Sequence, residues 1–180
     1  MSEMFRRGVI KRTPVALLLL ALLVPVGTVA GDGRLPDLGD CQKLQVEAGN
    51  RVAFWAYAEG VQIYRWNGTG WVFVAPEATL YSGDDEDAEP VAIHYAGPTW
   101  ESISGSKVVG AVMDKCPVPN AIPWLLLKAA SNQGPGIFHR VTFIQRLYTV
   151  GGVAPADPGA FPGQEARIPY SAWYVFYRAE

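Results

Sequence analysis

The side chains best able to do chemistry in this chain lie between His94 and Gly110, in the stretch HYAGPTWESISGSKVVG. His94 and Glu101 suggest the acid–base pair of a hydrolase, because a carboxylate orients an imidazole and raises its basicity. Gly97 and Pro98 lie between them and would fold one strand back beside the other. Tyr95 and Trp100, with Trp66 and Trp71 upstream, offer aromatic faces on which a sugar ring can stack. The plainer alternative is a hydrogen-bonded core histidine with tryptophans packed within a sheet. Residues 104–107 read SGSK and match the Ser-x-x-Lys pattern of acyl enzymes. That mechanism needs a helix opening at the serine, whereas Gly105 and the following VVGAVM describe a turn and a strand.

Other chemical signals are missing. The sequence holds no GxSxG elbow, HExxH helix, GxxxxGKS/T loop or GxGxxG fingerprint. Asp84, Asp85, Glu86, Asp87 and Glu89 crowd together without the spacing of a calcium loop, and read as a solvated turn. No metal site and no cofactor is expected. Cys41 and Cys116 are the two cysteines, and a bridge between them is the expected state in an oxidising compartment. In the chain-entropy picture a loop of about 75 residues gives roughly 4.5 kcal/mol as an upper guide.

Residues 1–30 read as a signal peptide: Arg6, Arg7, Lys11 and Arg12 precede an apolar run at 15–26, and Thr28 and Ala30 suit cleavage. FRRGVIK also has the form of a twin-arginine signal, but the Leu-rich run favours the general secretory route. At about a dozen residues the run is short for a membrane span, so no transmembrane anchor is expected after cleavage and the protein should be secreted or periplasmic. Removing the peptide leaves eleven Lys and Arg against sixteen Asp and Glu, a net charge of −5. The cations are scattered singly, which argues against a nucleic-acid partner.

The elements that would position the central stretch are strands. Residues 31–50 form a polar arm punctuated by Gly and Pro and held by Cys41, expected to lie outside the core; residues 51–180 form one β-domain. Strands are expected at 51–57, then after a turn at Glu59-Gly60 at 61–66, and across Asn67-Gly68-Thr69-Gly70 at 71–75. Residues 91–95, 99–102 and 107–113 follow, with His94 on the face opposite Tyr95. A connection at 116–123 leads to 124–130, which a hairpin joins to a strand at 138–149. There Val141, Phe143 and Leu147 are expected inside and Arg140, Thr142 and Arg146 in solvent. A long loop at 151–163 and an aromatic strand at 170–178 end the chain. This is an all-β pattern, an antiparallel β-sandwich or partly closed β-barrel in a single domain.

GVQIY, FVAPEATLY, HYAGPTWES, GSKVVG, IPWLLLKA, VTFIQRLYTVGGVAP and PYSAWYVFYR, in this order, resemble a secreted domain-of-unknown-function family, DUF 3455, over nearly the whole length after residue 30. The resemblance implies location and a β-rich fold and carries over no catalytic residues. Some fungal members are labelled malate dehydrogenase; this chain has no βαβ unit and no glycine fingerprint to support that activity. The leading expectation is an exported, non-catalytic module that binds a ligand, a polysaccharide or envelope component among the candidates. A hydrolase using His94 and Glu101 and a purely structural envelope protein are the alternatives.

Overall fold

The computed structural model describes residues 33–180, so the expected signal peptide lies outside the described residues. Eight strands follow one another: β1 Asn50–Trp66, β2 Trp71–Tyr81, β3 Pro90–Tyr95, β4 Thr99–Ser102, β5 Lys107–Val118, β6 Ala121–Gln133, β7 Val141–Gly151 and β8 Glu165–Ala179. Each pairs antiparallel with the next, and β8 returns to pair with β1, so a single sheet closes into a barrel. Local turn chemistry drives this order. Asn67 Oδ1 accepts from the backbone N–H of Thr69 and of Gly70, both at 2.9 Å, and so turns β1 into β2. Asn120 takes the positive φ of 57° that the tight turn between β5 and β6 requires.

Two expected breaks are not breaks. Glu59-Gly60 lies inside β1, paired on both sides, because Gly60 has no side chain where the backbone of Glu77 and Ala78 on β2 crosses at close range. The expected connection at 116–123 is mostly strand, with β5 running to Val118 and β6 starting at Ala121. The hairpin at 67–70 and the strands at 91–95, 99–102 and 124–130 form where the turn signals put them.

The arm does carry part of the core. Leu38, Cys41 and Leu44 recur every third residue, and a 3₁₀ turn at Gln42–Leu44 sets such residues on one side. They pack on the outside of the barrel against Val52, Leu126, Phe143, Leu147, Val175 and Tyr177. Cys41 is bridged to Cys116 on β5, with the Cα atoms 5.8 Å apart. Behind them Tyr177 donates to Gln145 Oε1 at 2.6 Å, and Gln145 Nε2 donates to Leu44 O at 2.7 Å.

Val141 is inside and Arg140 in solvent as expected, but past the irregularity between Val141 and Ile144 that covering reverses the expected faces of β7. Phe143 and Leu147 point outward and are buried under the arm, whereas Arg146, expected in solvent, is 9% exposed and lies inside the barrel beside Leu125 and Tyr174. One end of the barrel is filled by Phe54, Phe138 and Phe176, with Phe54 and Phe176 stacked at 4.6 Å. Ser102, Ser104 and Ser106 share hydroxyl hydrogen bonds at that end, and the Phe138 N–H donates to Ser106 Oγ.

Candidate functional site

β3 and β4 are short, and that opens the wall. Residues 78–81 of β2 pair with β3, and residues 107–109 of β5 pair with β4, so neither strand reaches residues 71–77 on one side or 111–118 on the other. Both edges of this gap are bulged, at Ile63/Tyr64 opposite Val74 and between Val112 and Asp114. Bulges kink strands at barrel rims and re-aim side chains. Phe73, Val74 and Val112, all substantially exposed, rim the opening, and the tight β3–β4 turn of Ala96, Gly97 and Pro98 forms its lintel.

Behind the opening lies a cavity of about 630 Å³ in the half of the barrel that the phenylalanines leave unfilled. Its walls are mostly apolar, with Pro76, Ile122, Leu125 and Leu127 among them. Gly152, at φ 77°, packs behind the lining residues Ile122 and Gln62, where a side chain would strike both and Tyr170. The polar groups facing the cavity are Gln62, Tyr64, His94, Trp100, Arg146 and Tyr174, with Lys115 at the mouth.

His94 is 3% exposed, and alternation along β3 turns it inward with Ala92 while Ile93 faces out. Its ring stacks on Trp100, the cross-strand neighbour, at 4.4 Å and 9°. Nδ1–H donates to Thr99 O at 2.8 Å, which leaves Nε2 as the acceptor of a neutral imidazole. Burial lowers its pKa to about 3, with the Thr99 bond opposing and Arg146 adding to the effect. Glu101 points the other way. It sits beside exposed Ile93 on the outer face, accepts from Tyr95 Oη at 2.7 Å and pairs with Lys107 at 3.1 Å. The Tyr95 hydroxyl first, then Lys107, holds its carboxyl below the ordinary range. The structure therefore brings Tyr95, Glu101 and Lys107 together on the surface and separates Glu101 from His94 by the thickness of the sheet. Lys107 is thereby committed to Glu101, and the Ser-x-x-Lys segment is a turn followed by a strand.

The tryptophans divide in the same way. Trp100 is 1% exposed and belongs to the interior. Trp66 and Trp71 are half-buried at the barrel's lower end, edge to face at 5.5 Å, and Trp71 Nε1 donates to Asp157 O at 2.9 Å. Gly159 of the same loop lies directly on the Trp66 ring, so residues 152–164 clasp this pair.

Sequence reasoning did not find Gln62, Tyr64, Arg146 and Tyr174. Arg146 Nε and Nη2 both donate to Pro123 O, at 3.2 and 2.8 Å. Among the described residues no carboxylate lies within ion-pairing distance of it. Its charge acts on His94, Tyr64 and Tyr174, favouring the ionised forms of the two tyrosines against the burial that raises both. Gln62 Nε2, Trp100 Nε1 and the Tyr174 hydroxyl are buried without a partner at hydrogen-bond geometry. The Tyr170 hydroxyl, behind the lining, is in the same state, and the Tyr174 hydroxyl lies beside both Tyr170 and Arg146.

A family model described as a protein of unknown function (DUF3455) matches residues 47–178, which take in seven strands and all but the last residue of β8. The chain belongs to this family. Cys41 and the 3₁₀ turn of this DUF3455 member precede the matched residues, whereas Cys116 and every cavity residue named above fall within them. No curated protein and no solved structure matches the chain.

Proposed function

We propose that this DUF3455 protein is a non-catalytic binding domain that takes a small, largely apolar ligand into its barrel through the gap beside β3 and β4. The observation that carries the reading is the cavity of about 630 Å³, lined mostly by apolar side chains, with Gln62, His94, Arg146 and Tyr174 among its few polar residues. Eight-stranded barrels either fill their interior with side chains or hold one small ligand, and this volume is within the range of small-molecule sites. The Cys41–Cys116 bridge supports a place in an oxidising compartment, and no helix among the described residues is long and apolar enough to cross a membrane.

The sugar-stacking form of this reading has less support, because Trp100 is inside the barrel and Trp66 and Trp71 are packed on each other and under a loop. The hydrolase pair has less still, since His94 and Glu101 occupy opposite faces of the sheet.

Thermal unfolding against a panel of small amphipathic molecules tests the proposal, with Val112→Trp as the control. Val112 is 55% exposed at the rim, so the indole obstructs the opening without disturbing the core. A ligand at about a hundred times its Kd adds roughly 2.7 kcal/mol and raises Tm by several degrees in the wild type. The shift should be lost in Val112→Trp; a shift of equal size in both proteins places binding elsewhere.

A further inference from the structure

The charge inside the barrel identifies the class of ligand. The protein carries more acidic than basic side chains, yet the lining of this cavity contains Arg146 and Lys115 and no Asp or Glu. A buried cation without a carboxylate is costly, and Arg146 has only one backbone carbonyl and its tyrosine neighbours to offset it. From this we infer that the ligand is an apolar molecule with a single anionic head, and that the head is received by Arg146. The inference rests on the cavity reading above and extends it from the existence of a site to the chemistry of its occupant.

The geometry suits a carboxylate. Pro123 O engages one edge of the guanidinium, through Nε and Nη2, and leaves the Nη1 side for a second acceptor. A guanidinium edge offers two parallel N–H donors, which a planar carboxylate matches in a bidentate contact. Tyr174, the cross-strand neighbour of Arg146, lines the same space, and its hydroxyl lies beside the guanidinium. Leu125, Leu127, Ile122 and Phe73 surround the rest and would cover an alkyl or aryl body. Exposed Lys115 stands at the mouth, where a cation favours the approach of an anion.

Isothermal titration of the oxidised protein with decanoate, decyl sulfate and decanamide, each as monomers in solution, separates the possibilities. Decanoate should bind at least about tenfold more tightly than decanamide, the usual worth of a charge-assisted contact. Arg146→Met should reduce decanoate to the affinity of the amide, and Arg146→Lys should restore part of the difference. Should Arg146→Met fail to fold, the unmodified protein still decides the matter with decanoate labelled at its carboxyl carbon. Its resonance should remain that of the ionised form in the complex as pH falls from 7 to 5, and a bound head that protonates more readily than the free acid overturns the proposal. Equal binding of decanoate and decanamide, blocked by Val112→Trp, overturns the anionic head and leaves the cavity site standing. Equal binding of decyl sulfate keeps the anion and removes the preference for carboxylate. Failure of all three to bind would defeat both readings.

Discussion

Burial keeps the His94 imidazole neutral at a pKa lowered to about 3, and the consequence for stability has a definite sign. Above the ordinary histidine pKa of about 6.5 the folded and unfolded states carry the same number of protons there. Between about 6.5 and about 3 only the unfolded state gains one, so stability falls as the solution is acidified, by about 2 kcal/mol between pH 7 and 5. Below about 3 both states are protonated and the loss stops growing. Urea denaturation at several pH values checks this against His94→Phe, which keeps an aromatic ring on Trp100 without a titrating nitrogen. The variant should be less stable at pH 7, with its Thr99 carbonyl unpaired, yet flatter towards pH 5. Glu101 works in the same direction at lower pH: its depressed carboxyl contributes stability above the ordinary carboxylate range and loses it as pH falls through the folded value. Legibility at this scale was uneven. HYAGPTWES holds His94, which the fold turns toward the cavity, but Glu101 lies on the other face, because sequence spacing across a turn does not say which residues of two short strands stand opposite. The register pairs His94 with Trp100 and Ile93 with Glu101.

At the scale of elements, the arm and β1 make the sharpest predictions. Leu44 is fully buried between the barrel and the arm, so Leu44→Ala should cost about 2–5 kcal/mol in chemical denaturation, as for other large-to-small core changes. Replacing Cys41 and Cys116 together by serine should cost about 2–4 kcal/mol, mostly by freeing a loop spanning 75 residues in the unfolded chain. Glu59-Gly60 reads as a turn because glycine is a strong local breaker. Here glycine serves close approach of two backbones, and Gly60→Ala should destabilise by about 1–3 kcal/mol, seen as a lowered urea midpoint with an unchanged slope. The arm's role was available in principle from Leu38, Cys41 and Leu44 at intervals of three, but a polar, Gly- and Pro-rich context hides so short an apolar repeat.

Over the whole molecule, ring closure and the gap in the wall distribute stability unevenly. The β1–β8 seam is paired from Asn50 to Arg65 and buries both faces at residues 174–177, whereas the β3–β4 hairpin holds only four register pairs. Hydrogen exchange should therefore be slowest for the central amides of β1 and β8 and fastest, among the strands, for β3 and β4. A ligand seated behind the hairpin should slow exchange there most, through contact with Gly97, Pro98 and Trp100, and protection confined to the seam would count against the cavity. The same gap explains why apolar Phe73, Val74 and Val112 tolerate exposure: they edge an opening and have no strand beside them to cover them.

Read alone, the sequence determined the all-β antiparallel class, the position of most turns, the Cys41–Cys116 bridge and the density of chemistry near His94. These follow from local rules: Gly, Asn and Pro set turns, alternation sets strands, and two cysteines allow one pairing. Tertiary structure decided which side of each strand is inside. A period of two puts Ile144 and Arg146 on one face of β7 and Phe143, Gln145 and Leu147 on the other, but the alternation is equally well satisfied with either face inward. The arm settles it by burying the more apolar face from outside, and so an arginine that reads as solvent-exposed becomes the charge at the centre of the barrel.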